Sequence, residues 1–218
     1  MNIVIVCSDW RHPIYPHLEQ WVERRASEHH ITLANSVTHL DPGDMLFLIS
    51  CTEIVTAEQR RNFKHTLVVH ASALPQGRGW SPHIWQILEG KNVIPVTLFE
   101  ATDHLDGGAI WAQSSFQLDG HELYDEINVK LFATTLELMD FALGNAVTVR
   151  PLPQREGPAT YYRKRTPNDS RLDPNRTIGE QFDLMRVADP NRFPCFMDYR
   201  GKRFKVFLKK EDDHDSPE

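Results

Sequence analysis

The chain has 218 residues, 40% of them apolar, with 24 Lys and Arg against 30 Asp and Glu, a net charge of −6. That is material for one globular domain, or one with a small appendage, around a sizeable core. The acidic balance argues against sequence-independent nucleic-acid binding, which needs a basic face, and no apolar run reaches the roughly 18 residues of a membrane span.

The opening stretch, "MNIVIVCSDW", has no basic segment before its apolar residues and is too short for a signal peptide, so it reads as a first buried strand from Asn2 to Cys7. Leu18, Trp21, Val22 and Ala26 then recur at helical spacing. "DMLFLISC" (Asp44 to Cys51) and "HTLVVH" are further buried strands, and such continuous apolar runs are typical of parallel sheets covered on both faces. Ser81 and Pro82 suit the N-cap and first turn of a helix through Ile84, Ile87 and Leu88, stopped by Gly90. "VIPVTLFE" predicts another strand and "AIWAQSSFQL" an alternating, partly exposed one. A long helix follows with Leu123, Ile127, Leu131, Leu138 and Ala142 on one face, closing at Gly144.

Near Val149 the texture changes. "RPLPQREGPATYYRKRTPNDSRLDPNR" reads as a long surface connector. Thr177 to Glu180 forms a capping box before a short helix striped by Ile178, Phe182 and Met185. "CFMDYRGKRFKVFL" predicts a hairpin turning at Arg200-Gly201, and the acidic end "KKEDDHDSPE" a frayed tail. The expected organisation is a Rossmann-like α/β catalytic domain over residues 1–148, with an open, mostly parallel sheet flanked by helices. An extension of helix and hairpin follows over 149–218. Cys7, Cys51 and Cys195 are odd in number and set in apolar runs, which suits small buried side chains in a reducing cytoplasm.

In open α/β sheets ligands sit beyond the carboxyl ends of the strands. His70 lies at such an end, ahead of a loop stiffened by Pro75 and opened to close backbone approach by Gly77 and Gly79. Asp106, beside two glycines, stands at the mouth of the strand beginning near Ile110. A His and an Asp on neighbouring strand ends can share a proton-transfer task. A lone strand-end His is more often structural, so spacing leaves both readings open.

His70, Ser72, Leu74, Pro75, Arg78, Gly79, Pro82, Trp85, Val96, Thr97, Asp106, Gly108 and Ile110 keep an order and spacing that resembles the formyltransferases using N10-formyltetrahydrofolate. That family includes enzymes acting on methionyl-tRNA, on glycinamide ribonucleotide and on amino sugars. "ATYYRKRTPNDSRLD" resembles the segment following their catalytic domain. The closest wording is that of a compact subgroup associated with amino-sugar and nonulosonic-acid surface glycans.

The resemblance implies a formyltransferase of the one-carbon group-transfer class. Its formyl donor would be N10-formyltetrahydrofolate, and its acceptor the amine of a nucleotide-linked amino sugar. No metal, nucleic-acid or membrane partner is implied, and the setting would be cytoplasmic. It gives His70 and Asp106 the catalytic roles. Asp106 takes the excess proton and supports a charged His70, which donates to the oxyanion or the leaving nitrogen. The folate would meet Leu98, Glu100, Thr102 and His104, with Arg78 steering its anionic tail or pinning its own loop. Ser72, Pro75, Gly77 and Trp80 would line the substrate side. Trp85 reads as core, and Tyr161 to Arg165 either clamp a diphosphate or pack as a connector. The histidines show no ligand spacing for a metal.

One departure matters: the family's catalytic Asn, two residues before the His, is Val68 here. Two other readings therefore stand beside the sugar enzyme. One is a methionyl-tRNA formyltransferase-like enzyme, which the acidic charge disfavours. The other is a catalytically silent relative that binds folate or sugar. A homodimer through the C-terminal hairpin is compatible with all three.

Overall fold

The computed structural model describes residues 1–211; the expected frayed tail lies mostly beyond them. In chain order the elements are β1 (Asn2–Val6), α1 (Tyr15–Arg25), β2 (His30–Ala34), β3 (Gly43–Leu48), α2 (Ala57–Arg60), β4 (Phe63–His70), β5 (Arg78–Gly79), α3 (Pro82–Leu88), β6 (Val93–Glu100), β7 (Ile110–Gln117) and α4 (Tyr124–Asn145). After them come β8 (Tyr161–Tyr162), α5 (Phe182–Arg186), β9 (Cys195–Tyr199) and β10 (Lys202–Val206).

Six strands form one sheet in the order β2-β1-β3-β4-β6-β7. Its first four strands are parallel, β6 runs antiparallel to β4, and β7 antiparallel to β6. Strands β1 and β3 are apolar on both faces, which packs one cluster around Trp21, Phe47 and Leu131 and another around Val6, Leu48 and Phe63. Edge strand β2 escapes a search for apolar runs because "HITLA" lies at the sheet's rim, half-exposed. Ala26, expected on the buried face of α1, caps that helix and is exposed. Pro95 is tolerated within β6 because β4 pairs only with Thr97 to Glu100.

The reversal at β6 decides where the loops go. His70 pairs with Thr97 and Leu67 with Glu100, so the chain re-enters the sheet from the end it left. The whole segment from Ala71 to Asn92, with α3, therefore stays at the carboxyl end of β4.

The C-terminal part differs from the sequence expectation in two respects. The connector is no loose surface run: Leu152 bridges to Ile110, and β8 pairs in parallel with β5. Ile178 is 72% exposed rather than part of an apolar stripe, while Met185 is buried with Leu172, Ala188 and Cys195. Helix α4 runs one residue past Gly144. The hairpin turns at Arg200-Gly201, both residues having positive φ (48° and 74°), as a two-residue primed turn requires. Among the described residues no helix is long and apolar enough to cross a membrane.

Candidate active site

His70 closes β4, and its ring turns back to its own loop: Nε2 lies 2.9 Å from the Gly77 carbonyl. A carbonyl only accepts, so Nε2 carries the proton. The same nitrogen is 3.8 Å from Oδ2 of Asp106, and each side chain is 11% exposed. Charges at that distance in a site largely shielded from water interact far more strongly than at the surface. Nδ1 makes no hydrogen bond to the described residues.

Asp106 arrives by a route that strand-end reasoning did not foresee. Its loop leaves β6 at Glu100, opposite Leu67, and Ala101 N–H bonds the Thr66 carbonyl at 2.8 Å. The loop then doubles back along β4, and Asp106 reaches the imidazole from the side. Asp106 adopts φ of +47°, a left-handed conformation that Asp tolerates better than most residues. Gly108 permits the fold-back, because a Cβ there would lie 1.7 Å from the Glu100 carbonyl oxygen.

The loop after His70 is held from three directions. Thr97 Oγ1, wholly buried, donates to the Ser72 carbonyl at 2.6 Å. Gln86, buried on α3, donates to the Ala71 carbonyl at 2.7 Å. The connector straps the far side: Arg78 N–H bonds the Thr160 carbonyl (2.9 Å), Trp80 N–H the Tyr162 carbonyl (3.0 Å), and Gly77 N–H the Thr160 hydroxyl (2.8 Å). The close approach that Gly79 allows is therefore to the protein's own connector. A Cβ there would stand 2.3 Å from the Tyr162 carbonyl oxygen, at φ of +98°. Gly79 N–H in turn donates to Oδ2 of Asp106 at 2.8 Å, which ties the loop after His70 to the loop carrying Asp106.

The other expected contacts divide. Thr102 and His104 are exposed on the loop carrying Asp106, where a ligand could reach them. Glu100 accepts the Trp111 indole N–H at 3.1 Å. Leu98 has no exposed surface and pairs with Val69 and Ala112, so it belongs to the core and not to the crevice. Arg78 donates to Gln154 Oε1 (2.7 Å) and to the Tyr161 hydroxyl (3.2 Å), which makes it a pin between loop and connector. Ser72, Pro75 and Gly77 are buried within their loop rather than lining its open side, and the Ser72 hydroxyl has no partner. Trp80 is 39% exposed, with Lys164 Nζ 4.5 Å from its ring centre.

Trp85, expected in the core, instead stacks on Tyr162 at 6.1 Å and 11° and lies half-buried. Ser81 caps α3 in a left-handed conformation without a side-chain bond. The cluster at 161–165 packs on α3 and on its own connector, as the second of the two expected readings had it. Tyr162 donates to Glu89 (2.8 Å), Arg163 pairs with Asp169, and Arg165 bonds the Asp169 carbonyl at 3.0 Å. Val68 is half-buried against apolar neighbours of the second cluster and offers no donor to the site.

Two further imidazoles lie nearby. Burial, helped by Arg192, pushes the His12 ring down to about 4. Burial pushes His83 down to about 3, with His12, His70 and Arg165 adding to the depression. Both are neutral at pH 7, so they place no competing positive charge beside His70. Among the described residues no three His, Cys, Asp or Glu side chains are grouped to hold a metal ion.

Sequence reasoning missed Gln86, Gln154 and the strapping role of Thr160. Their only signal was polarity, at positions where a helix face or a proline-rich connector made polarity look ordinary.

The sequence pattern described as formyl transferase matches residues 11–139, more than half of the chain. A methionyl-tRNA formyltransferase of Bacillus pumilus (strain SAFR-032) is 29% identical over 146 residues. That match takes in 66% of this chain but 45% of the relative, so the chain spans less than half of the relative's length. Among solved structures, a methionyl-tRNA formyltransferase from Clostridium thermocellum superposes with a TM-score of 0.81 at 21% identity, over 98% of this chain and 94% of that one. A sugar N-formyltransferase from a Shewanella species superposes with a TM-score of 0.72 at 16% identity, over 97% and 98%. At those identities the superpositions speak for the fold.

Proposed function

Because the chain belongs to the formyl transferase family, we propose that it moves the formyl group of N10-formyltetrahydrofolate onto the amine of a nucleotide-linked amino sugar, in the cytoplasm, for surface-glycan biosynthesis. The observation that carries formyl transfer is the approach of His70 Nε2 and Asp106 Oδ2 to 3.8 Å on two interlocked loops. The net charge of −6 favours a small acceptor over a polynucleotide, whose phosphates need a basic surface. The likeness to a sugar N-formyltransferase along nearly the whole of both chains is compatible with that acceptor.

The chemistry follows from the ring's hydrogen bonds. The acceptor amine attacks the formyl carbon, forming a C–N bond and an oxyanion while its own nitrogen becomes cationic. His70, anchored through Nε2–H on Gly77, and not Asp106 as the resemblance implied, takes a proton from that nitrogen at Nδ1. The imidazolium then faces the Asp106 carboxylate, which stabilises it. As the carbon–N10 bond breaks, the proton passes from Nδ1 to N10, so a formamide and tetrahydrofolate leave with the proton count unchanged. With Val68 in place of an amide donor, the imidazolium supplies the positive charge nearest the oxyanion. The exposed loop with Thr102 and His104 is the surface offered to the folate.

Methionyl-tRNA is the second acceptor to weigh, since the Bacillus relative carries that name. Incubation with N10-formyltetrahydrofolate, a panel of amino-sugar nucleotides and initiator methionyl-tRNA separates the two. The expected result is a sugar nucleotide heavier by one formyl group and unchanged tRNA. Formylated tRNA with unchanged sugars would overturn the acceptor assignment, and tetrahydrofolate release with no amine at all would overturn formyl transfer.

A further inference from the structure

The connector places one carboxamide where both catalytic loops meet. Gln154 Nε2 donates to the Asp106 carbonyl at 2.7 Å and to the Gly108 carbonyl at 3.0 Å, and its Oε1 accepts Arg78 Nη2 at 2.7 Å. Both amide protons are directed at the loop carrying Asp106, and the oxygen at the loop that follows His70. We propose that Gln154 is a positioning residue for the formyl-transfer reaction: it sets the distance between the Asp106 carboxylate and the His70 ring.

Three observations require more of Gln154 than general packing. Asp106 has φ of +47° and is followed by two glycines, so the local backbone does not hold its conformation unaided. The Asp106 carbonyl and carboxylate are each held by a separate donor, Gln154 Nε2 and Gly79 N–H. Arg78, held by Gln154, directly precedes Gly79, so one carboxamide controls both ends of the carboxylate's anchorage. Leu152, two residues earlier, exchanges two backbone bonds with Ile110 (2.7 and 2.9 Å), which fixes where the Gln154 side chain begins.

The chemistry of the two ends makes the assignment testable. Gln154→Glu keeps the size and strengthens the contact with Arg78, but turns an acceptor-only group toward two carbonyl oxygens. A residue that merely tethers Arg78 would tolerate that change. One that holds the Asp106 loop would not.

The inference rests on the proposed formyl-transfer reading for its kinetic arm only; the spectroscopic arm is independent of it. In the full chain, the Gly79 amide proton, bonded to a carboxylate, is followed by nitrogen–proton NMR in the wild type and in Gln154→Glu, Gln154→Ala and Asp106→Asn. Both Gln154 variants are expected to move the Gly79 resonance and lower its exchange protection, while the dispersion of the remaining spectrum shows that the fold persists. An unmoved Gly79 amide in folded Gln154→Glu overturns the proposal, whatever the acceptor proves to be. In the formylation assay the same variant is expected to lose about 10–100-fold in kcat, the scale of a small misplacement of a catalytic group. KM for the formyl donor should stay within about twofold, and the pH–rate profile should change shape in the same way as that of Asp106→Asn. Wild-type kcat in Gln154→Glu, or a loss confined to KM, would equally overturn it.

Discussion

Replacing Asp106 by Asn removes a charge and almost nothing else. The amide is the same size, and its oxygen can still accept the Gly79 N–H now found 2.8 Å from Oδ2. What disappears is the attraction between a carboxylate and an imidazolium 3.8 Å apart, each 11% exposed. Taking an effective dielectric near 20, that attraction is about 4 kcal/mol. In the proposed mechanism the ring gains its proton during the reaction, so the loss is expected in kcat. Lost there, it lowers kcat by about a thousandfold and leaves the KM for the formyl donor nearly unchanged. Stopped-flow or discontinuous measurement of tetrahydrofolate release at saturating acceptor reads kcat, and a thermal melt checks that the fold is unaltered. If Asp106→Asn keeps kcat within about tenfold of the wild type, the carboxylate is not stabilising a charged ring, and the mechanism derived from the pair is wrong.

Gly79→Ala tests the strap between loop and connector. Its methyl group would stand 2.3 Å from the Tyr162 carbonyl oxygen at φ of +98°. The left-handed cost of about 1–2 kcal/mol and one or two displaced backbone bonds at about 1 kcal/mol each bring the loss to roughly 3 kcal/mol. At about 2–4 °C per kcal/mol, the melting temperature should fall by about 6–12 °C. Gly90→Ala, at φ of +81° with open space around it, should lose only the conformational part, and equal losses in the two variants would refute the clash.

A third expectation concerns acid stability. His12 and His83 titrate near 4 and 3 in the folded chain, against an ordinary value of about 6.5. The unfolded chain binds those protons first as pH falls, so the stability they contribute is full above pH 6.5 and is lost progressively toward pH 3. Denaturant melts at pH 7 and pH 5 should show the drop, and His83→Phe should flatten it; an unchanged slope in that variant would contradict the assignment.

Much of this protein could be read from residue order alone. The apolar runs at Ile3 to Cys7, Met45 to Ile49 and Leu67 to Val69 point those segments to a covered sheet, since they are short, rich in β-branched and aliphatic residues, and apolar on both faces of a strand. The hairpin at Arg200-Gly201 follows from local turn chemistry. His70 and Asp106 were visible because their neighbours (prolines and glycines among them) constrain the backbone within a few residues. Long-range placement was beyond local signals. Nothing near Val93 announces that β6 runs antiparallel, yet that reversal confines the Ala71–Asn92 segment to the His70 end and makes the Asp106 loop fold back along β4. Nor does a glutamine in a proline-rich connector declare that it will bond the Asp106 carbonyl, 48 positions away. Periodicity and turn residues act over a handful of positions, whereas a hydrogen bond across the fold exists only after packing has brought its partners together. The residue types of the proposed pair were therefore legible from the start, and tertiary structure alone decided the distance and the anchorage that would let them act together.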